Sequence, residues 1–528
     1  MAGRLEELKE SPKETDDVLY NGDQRDEKES GRVGVDEINS VLGEEHGEPI
    51  YRNAIPNAEG ETVEQGAQLL VMLTTFSSHD HVQRTILSTQ ATFGLQEDTH
   101  LVGQQYAWLT TIFYITYMMF EFPSNVLLQR YKMGRTLSLY MLCWGTVVLC
   151  IGFAQNFAQL ITLRALQGLF ECCISPGFIL VIGTWYTTRE HSSRSLVFQS
   201  ANAGFGIISS LCLYGIGTLQ DKRGPEFEAW RYMSYFLGSL TVITGAICLF
   251  LLGTPSEVRW LSTEEKHMAN TRILGNATGH DRTGVKQWKW EQARECISDP
   301  CFWFAGLNAF LVSVPNGGLT TFGHIISTSF GFTNLQVILL DIPKSVFSLL
   351  YFVLIGIVTT KWMNLRLYFM AFSTIPPFIG FLMMSLLPNE PDYKWTKWGG
   401  YFMTTPFVIA LFLAWTLIPS NTAGRTKRTL TSSFTFVGYC VGNMVGSQIF
   451  VSTDAPRYVP GTVGCTVCFG LEFLLILVWR VIYVTRNRKR QQRWVQEGIT
   501  EEDRVIYAKE FGEKDTTDFK NPYFLYTM

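Results

Sequence analysis

From about residue 106 to about residue 485 the chain is a succession of apolar runs, each near the roughly 20 residues that a helix needs to cross a bilayer. They cover approximately 106 to 128, 137 to 155, 159 to 186, 195 to 219, 231 to 252, 302 to 327, 336 to 360, 367 to 387, 399 to 419, 430 to 451 and 462 to 485. Backbone polar groups in lipid must be satisfied within the segment that carries them, so the chain is predicted to be an all-α, multi-pass membrane protein. A twelfth, first span over 68 to 92 is degenerate. Its apolar run from Leu69 to Phe76 breaks into Ser77-Ser78-His79-Asp80-His81 before Val82-Gln83-Arg84-Thr85. His79, Asp80 and His81 make no metal site, because three successive residues do not share a helix face.

Three polar stretches punctuate the runs and set the predicted organisation. Residues 1 to 67 are rich in Glu, Asp, Lys and Gly, the composition of a disordered cytoplasmic tail with no cleavable signal. Residues 68 to 252 form a first group of six helices, 253 to 300 a cytoplasmic central loop, 301 to 486 a second group of six, and 487 to 528 a cytoplasmic tail. A net charge of −4 and the scatter of basic residues among short loops give no reason to expect nucleic acid. Most of the 11 cysteines lie in apolar runs and read as buried free thiols, the Cys465-x-x-Cys468 pair included.

Loop charge orients the chain, since Lys and Arg accumulate on the cytoplasmic side. Arg130, Lys132 and Arg135 follow one span, Arg189 and Arg194 another, then Arg425, Lys427 and Arg428, and finally Arg486, Arg488, Lys489 and Arg490. The alternate loops are short, neutral or mixed. Both termini are therefore expected in the cytoplasm if the first span crosses.

One run carries two ionisable residues. Between Leu163 and Gly177 stand Arg164 and Glu171, seven residues apart, so nearly two turns separate them on one face, about 10 Å along the axis. A charge in mid-bilayer costs about 3 kcal/mol and usually lines a polar pathway or meets a counter-charge. Arg164 is a candidate anion ligand and Glu171 a candidate proton carrier. The other reading, in which Arg164 snorkels outward and Glu171 bonds a neighbouring helix, stays open at this point.

The basic landmarks also recur. Arg135 and Arg366 are 231 apart and Arg194 and Arg428 are 234 apart, each pair following corresponding spans of the two groups. Two similar six-helix halves around a midplane site are the architecture of rocker-type secondary transporters.

The residues resemble the major facilitator superfamily, and within it the anion:cation symporter family of the allantoate-permease type found in fungi, from about Arg84 onward. The resemblance rests on Phe93-Gly94-Leu95-x-Glu97-Asp98, Glu121-Phe122-Pro123-Ser124-Asn125, and Arg164-x-x-x-Gly168-x-x-Glu171 with Pro176-Gly177. Further along come Asn316-Gly317-Gly318 with Phe322-Gly323, Trp415, Ser420-Asn421-x-x-Gly424-x-x-Lys427-Arg428 and Asp454-Ala455-Pro456-x-Tyr458. The tail, Asp515-x-x-Asp518-Phe519-x-Asn521-Pro522, also looks like that of the family's fungal members.

This resemblance implies a twelve-helix fold of two six-helix halves and import of a small organic anion with protons: a carboxylate, ureido acid, vitamin or sulfur-containing acid. It implies no cofactor, with protons as the coupling ion, a monomer, and a plasma-membrane location. Matched by position, Arg164 falls on the family's anion-site arginine and Glu171 on its proton-coupling acid. Tyr117, Asn202, Ser420 and Asn421 fall on substrate-binding positions, and Arg84 on the arginine of a first-helix Asp-Arg pair whose acid is here Gln83. Glu121 beside Pro123 reads as a gating residue that works with the loop bases Arg130 and Arg135.

Asp341 and Lys344 read as a local pair, and Glu472 takes no assigned role. Gly317-Gly318 reads either as a flexible irregularity or as close packing. A drug antiporter typically carries Gly-Pro in the fifth span, where Asn202-Ala203-Gly204-Phe205-Gly206 has no proline. An enzyme is not expected: no phosphate-binding glycine loop, metal cluster or nucleophile with a base stands at recognisable spacing. The alternative to transport is a nutrient sensor, or an inactive isoform with a defective first helix.

Overall fold

A computed structural model describes residues 79–185, 188–224, 226–263, 266 and 288–528, except the side chains of 79–85 and 188–203 and a few others. The predicted tail 1–67, the first part of the degenerate span and the middle of the central loop, 264–265 and 267–287, lie outside the described residues.

The first half consists of α1 His79–Thr92, α2 Gln105–Arg130, α3 Met133–Ile151, α4 Phe157–Glu171, α5 Ile174–Trp185, α6 Thr188–Arg223 and α7 Ala229–Leu251. The second consists of α8 Trp290–Ser298, α9 Pro300–Ser329, α10 Asn334–Lys361, α11 Arg366–Leu386, α12 Lys394–Met403, α13 Val408–Asn421, α14 Arg425–Gln448 and α15 Val459–Glu497. A last helix, α16 Glu501–Glu513, precedes a turned-back tail. Among the described residues there is no strand.

Local chemistry explains the breaks. Pro176 has no N–H to give the Cys172 carbonyl and its ring crowds that carbonyl, so the span that α4 begins is interrupted at Cys172-Cys173 and resumed by α5. Asp299 caps α9, accepting from the Cys301 N–H with Pro300 in the first turn, and the chain bends 68° there between α8 and α9. Thr333 and Gln336 close a capping box at the start of α10.

Seven of the described helical spans are long and apolar enough to cross a membrane, and the bent α8–α9 pair makes an eighth. The sequence predicts eleven strong spans. The difference lies in helices such as α2 and α14, which have the length, 26 and 24 residues, but carry polar residues, Thr111 on one and Ser447 and Gln448 on the other, where they meet.

Within the second half, α9 and α14 meet along backbone. A Cβ on Gly438, Gly442 or Gly446 would lie 2.4, 2.5 or 2.0 Å from the carbonyl oxygens of Gly306, Phe310 and Val314. Four-residue spacing on both helices brings three glycines against three carbonyls. Gly317 likewise meets the Asn443 backbone at 2.3 Å, and α9 runs unbroken past it, so Gly317-Gly318 serves close packing. Gly442→Leu is expected to cost about 3 kcal/mol, because a rigid carbonyl must yield; a lowered melting temperature in detergent checks this.

The halves meet where α1 and α2 face α9 and α14, and where α6 runs along α10. The Tyr106 hydroxyl donates to Thr321 O at 2.6 Å, Thr110 and Thr321 hydroxyls lie 3.0 Å apart, and Thr111 meets Ser447 at 3.1 Å and Gln448 at 2.7 Å. Gln104 exchanges bonds with Gln448 and Ser452. All of these lie at the start of α2 and the late parts of α9 and α14, so the bundle is sealed at that end. The described part of the first span is bound into this frame: Gln90 donates to Trp230 O and to Ser234 Oγ.

Candidate functional site

Below the seal, a small cavity, with room for little more than a water molecule in this conformation, is lined by Leu87 of α1, Thr110, Phe113 and Tyr114 of α2, Arg164 and Gln167 of α4 and Thr320 of α9. Both halves contribute to its wall. Arg164 is buried, and its Nη1 donates to Gln167 Oε1 at 3.1 Å. Gln167 Nε2 in turn donates to Glu171 Oε2 at 3.3 Å. Three residues separate the first pair and four the second, so the chain of bonds runs down one face of α4. The Arg164 Nε is buried with no hydrogen-bond partner, an orphan donor on a permanent cation at the cavity. The inward-facing reading of Arg164 thus prevails over snorkelling.

α4 reaches this position because Gly168 lets it approach α2: a Cβ there would lie 2.3 Å from both Phe113 O and Thr116 Oγ1. Asn156 starts the helix by accepting from the Gln159 N–H.

Tyr117 belongs to the same neighbourhood. Its ring packs on Phe113 and Tyr114 and stacks on Phe436 of α14, while Tyr114 meets Tyr439, which meets Trp415. An aromatic layer spanning the two halves therefore adjoins the cavity. Arg84 and Asn202 have side chains outside the described residues; Arg84 stands one turn before Leu87 on α1.

The other predicted positions lie elsewhere. Arg130 and Arg135 are exposed and neither is paired with Glu121, whose Oε2 is buried without a hydrogen-bond partner. Nine residues of helix separate Glu121 from Arg130, about 13 Å, too far for a local pair. Ser420 accepts from Arg366 Nη1 at 3.2 Å. Asn421 is taken by the tail: its amide donates to Thr527 O and accepts from the Thr527 N–H, both at 2.8 Å.

That contact belongs to a larger lock. α15 continues through residue 486 to Glu497, and the stripe Asn487, Arg490, Trp494 holds the returning tail: Asn487 exchanges two bonds with the Tyr526 backbone, Arg490 donates to Phe524 O, and Trp494 to Pro522 O. Lys427, buried, meets Asp518 at 2.8 Å, Asp299 at 3.0 Å and Glu295 at 3.2 Å. Gly424 has φ +88°, and a Cβ there would lie 2.9 Å from Thr517. The Ser-Asn-x-x-Gly-x-x-Lys motif and the Asp-x-x-Asp-Phe-x-Asn-Pro motif are thus two sides of one interface.

Sequence reasoning missed Gln167, although a polar residue three from one charge and four from the other is legible in spacing alone. Thr110, Tyr114 and Thr320 carry weaker signals. Among the described residues no group of His, Cys, Asp and Glu is placed to hold a metal ion, and all eleven cysteines are free.

A model of the Major Facilitator Superfamily matches residues 75–447, through both halves. The chain belongs to this superfamily. As a major facilitator it is a multi-pass membrane transporter and not an enzyme. Two uncharacterized transporters of Schizosaccharomyces pombe are similar to it: one 28% identical over 95% of this chain and 98% of its own, the other 30% identical over 84% and 83%. The allantoate permease of Saccharomyces cerevisiae is 26% identical over 84% of this chain and 81% of that one. Solved major facilitators share the fold. The xylose transporter of E. coli, in a partially occluded inward-open conformation, aligns with TM-score 0.58 at 11% identity, covering 80% of this chain and 98% of that one. A bacterial homolog of the human lysosomal transporter Spinster, inward-facing and occupied, aligns with TM-score 0.55 at 15% identity, covering 78% and 94%.

Proposed function

We propose that this major facilitator imports a small organic anion together with protons by alternating access. The observation that carries the reading is the buried Arg164, with an unpartnered Nε beside a cavity walled by both halves. Its planar donors suit a carboxylate's two oxygens. Glu171 is the proton carrier, linked to the anion site through Gln167. Protonation of Glu171 together with anion binding leaves the site closer to neutral, which lowers the cost of closing it away from water. A relative named for allantoate supports an organic anion as substrate.

Orientation by loop charge puts both termini in the cytoplasm and the sealed end outside, so this conformation is inward-facing, as in the xylose transporter. Arg84 and Tyr117 complete the anion site from α1 and α2, and the plasma membrane is its location.

The test is the external pH of a lightly buffered suspension of cells making the protein, with small anions added one at a time. One anion is expected to produce alkalinisation. Glu171→Gln abolishes that signal and proton-driven accumulation while anion exchange persists. Accumulation unchanged in Glu171→Gln would overturn its role; no signal from any anion, with the protein shown at the surface, would overturn proton-coupled import.

A further inference from the structure

α8 lies in the stretch that the sequence assigns to a cytoplasmic loop, and its residues divide among three faces. One is bound to protein: Gln292 accepts from the Thr426 N–H at 3.0 Å and donates to Asp515 O at 2.8 Å, Glu295 accepts from Thr517 at 2.8 Å, and Cys296 lies beside Thr431. A second carries Ser298 and Glu291, whose carboxylate meets Lys520. The third is apolar and bare. Trp290 and Ile297, seven residues and nearly two turns apart, are 71% and 58% exposed, and an exposed Trp288 lies against Trp290.

A bare apolar face beside a packed one marks a surface that something covers. The neighbouring span says what covers this one. Trp303 and Leu307 are exposed on α9, which crosses the membrane, so they face lipid. Trp303 Nε1 donates to Ile297 O at 2.9 Å, and the bare face of α8 thus runs on into the lipid-facing side of α9. α9 has 30 residues, about 45 Å of helix against about 30 Å of hydrocarbon, which leaves its first turns at headgroup depth. The 68° bend at Asp299 then lays α8 close to the membrane plane at that depth, where the amphipathic ring of tryptophan is favoured. Arg294 projects between the bare face and the side that carries Glu291, and it is exposed. The acids of α8 are engaged elsewhere, Glu291 with Lys520 and Glu295 with Lys427, so its guanidinium is open to an anion.

We propose that α8 is an in-plane membrane anchor: Trp290 and Ile297 sit in the headgroup layer of the leaflet opposite the seal, and Arg294 takes the phosphate of an anionic phospholipid. Loop charge makes that leaflet the cytoplasmic one, where anionic lipids concentrate. Because the protein face of α8 holds Asp515 and Thr517, the anchor ties the tail's lock to the bilayer. It stands apart from the roles of Arg164 and Glu171 and holds whatever the substrate.

The test is spin-label accessibility on the full chain in lipid nanodiscs. Nitroxides are attached through Ile297→Cys and, on the face turned to water, Glu291→Cys. Both positions are exposed, so neither change disturbs packing, and label taken up by the chain's own cysteines is subtracted with an unsubstituted sample. At 297 dissolved oxygen should relax the label at least about threefold more than a water-soluble nickel chelate does, and at 291 the order should reverse. Adding Arg294→Glu should raise nickel access at 297 at least about twofold in nanodiscs with about 30% phosphatidylglycerol, and less in phosphatidylcholine alone. Nickel dominance at 297 would leave α8 in water, and shielding from both reagents would put protein against it; either result overturns the anchor. An Arg294→Glu effect equal in the two lipids would overturn the anionic headgroup.

Discussion

Arg164→Ala is expected to lower uptake by at least about 100-fold while leaving the protein folded and in the membrane. Losing one partner of a buried, hydrogen-bonded charge pair costs roughly 2–5 kcal/mol, and each 1.4 kcal/mol is a factor of ten. A charge kept for stability would behave differently. Arg164 is buried with its Nε unpartnered and only part of its donor fork used, so on its own it destabilises the empty fold. The alanine variant should therefore melt at or above the wild-type temperature. Arg164→Lys keeps the charge but loses the planar fork, and should recover only part of the rate. Uptake measured beside a thermal melt separates the two roles; a variant that transports normally, or one that melts much lower, removes Arg164 from the anion site.

Removing 515–528 is expected to have the largest effect on stability. The deletion strips Lys427 of Asp518 and leaves Asn421, Asn487, Arg490 and Trp494 without the backbone groups they hold. Asp518→Ala alone should cost about 3 kcal/mol, the usual scale for breaking a buried ion pair. Full deletion should yield little folded protein on gel filtration in detergent. Replacing Lys427 and Asp518 together by apolar residues should be milder than the sum of the single changes.

Acid should act on the same interface. Burial pushes the Asp299 carboxyl up, but Lys427 and Arg486 beside it outweigh that and hold it below the usual carboxylate range; Asp515 is held down likewise, against burial, by Lys289 and the Arg425 N–H. A carboxylate depressed in the folded state contributes stability that is complete above its unfolded value, about 3.9, and lost as pH falls through the folded one. Melting temperature should be flat in this term near neutrality and fall only below about pH 4.

The membrane spans are legible in sequence because lipid demands about 20 apolar residues in a row, and a long run survives local irregularity. The Arg164 and Glu171 pair is legible because helical spacing is a local property. Asn421 is not. It reads as a cavity residue, but its partner, Thr527, is 106 residues away, and nothing local tells a polar residue at a helix end whether it faces a cavity or a returning tail. The pairing of Asp341 with His324 across two helices is hidden for the same reason, although a histidine inside an apolar run was a visible signal. Three glycines at four-residue spacing in α14 were also open to view; their meaning depends on which helix lies opposite.

The two kinds of helix contact have different consequences for motion. Between α9 and α14 backbone lies on backbone, and separation would open voids that neither lipid nor water fills well. Across the sealed end the bonds run largely through the side chains of Tyr106, Thr110, Thr111, Thr321, Ser447 and Gln448. Water can replace each of these in turn at nearly equal strength. The seal therefore parts by wetting, with little net enthalpy lost. A seam of that kind can hold two populations of similar free energy, so a ligand with a modest preference for one of them suffices to tip the balance.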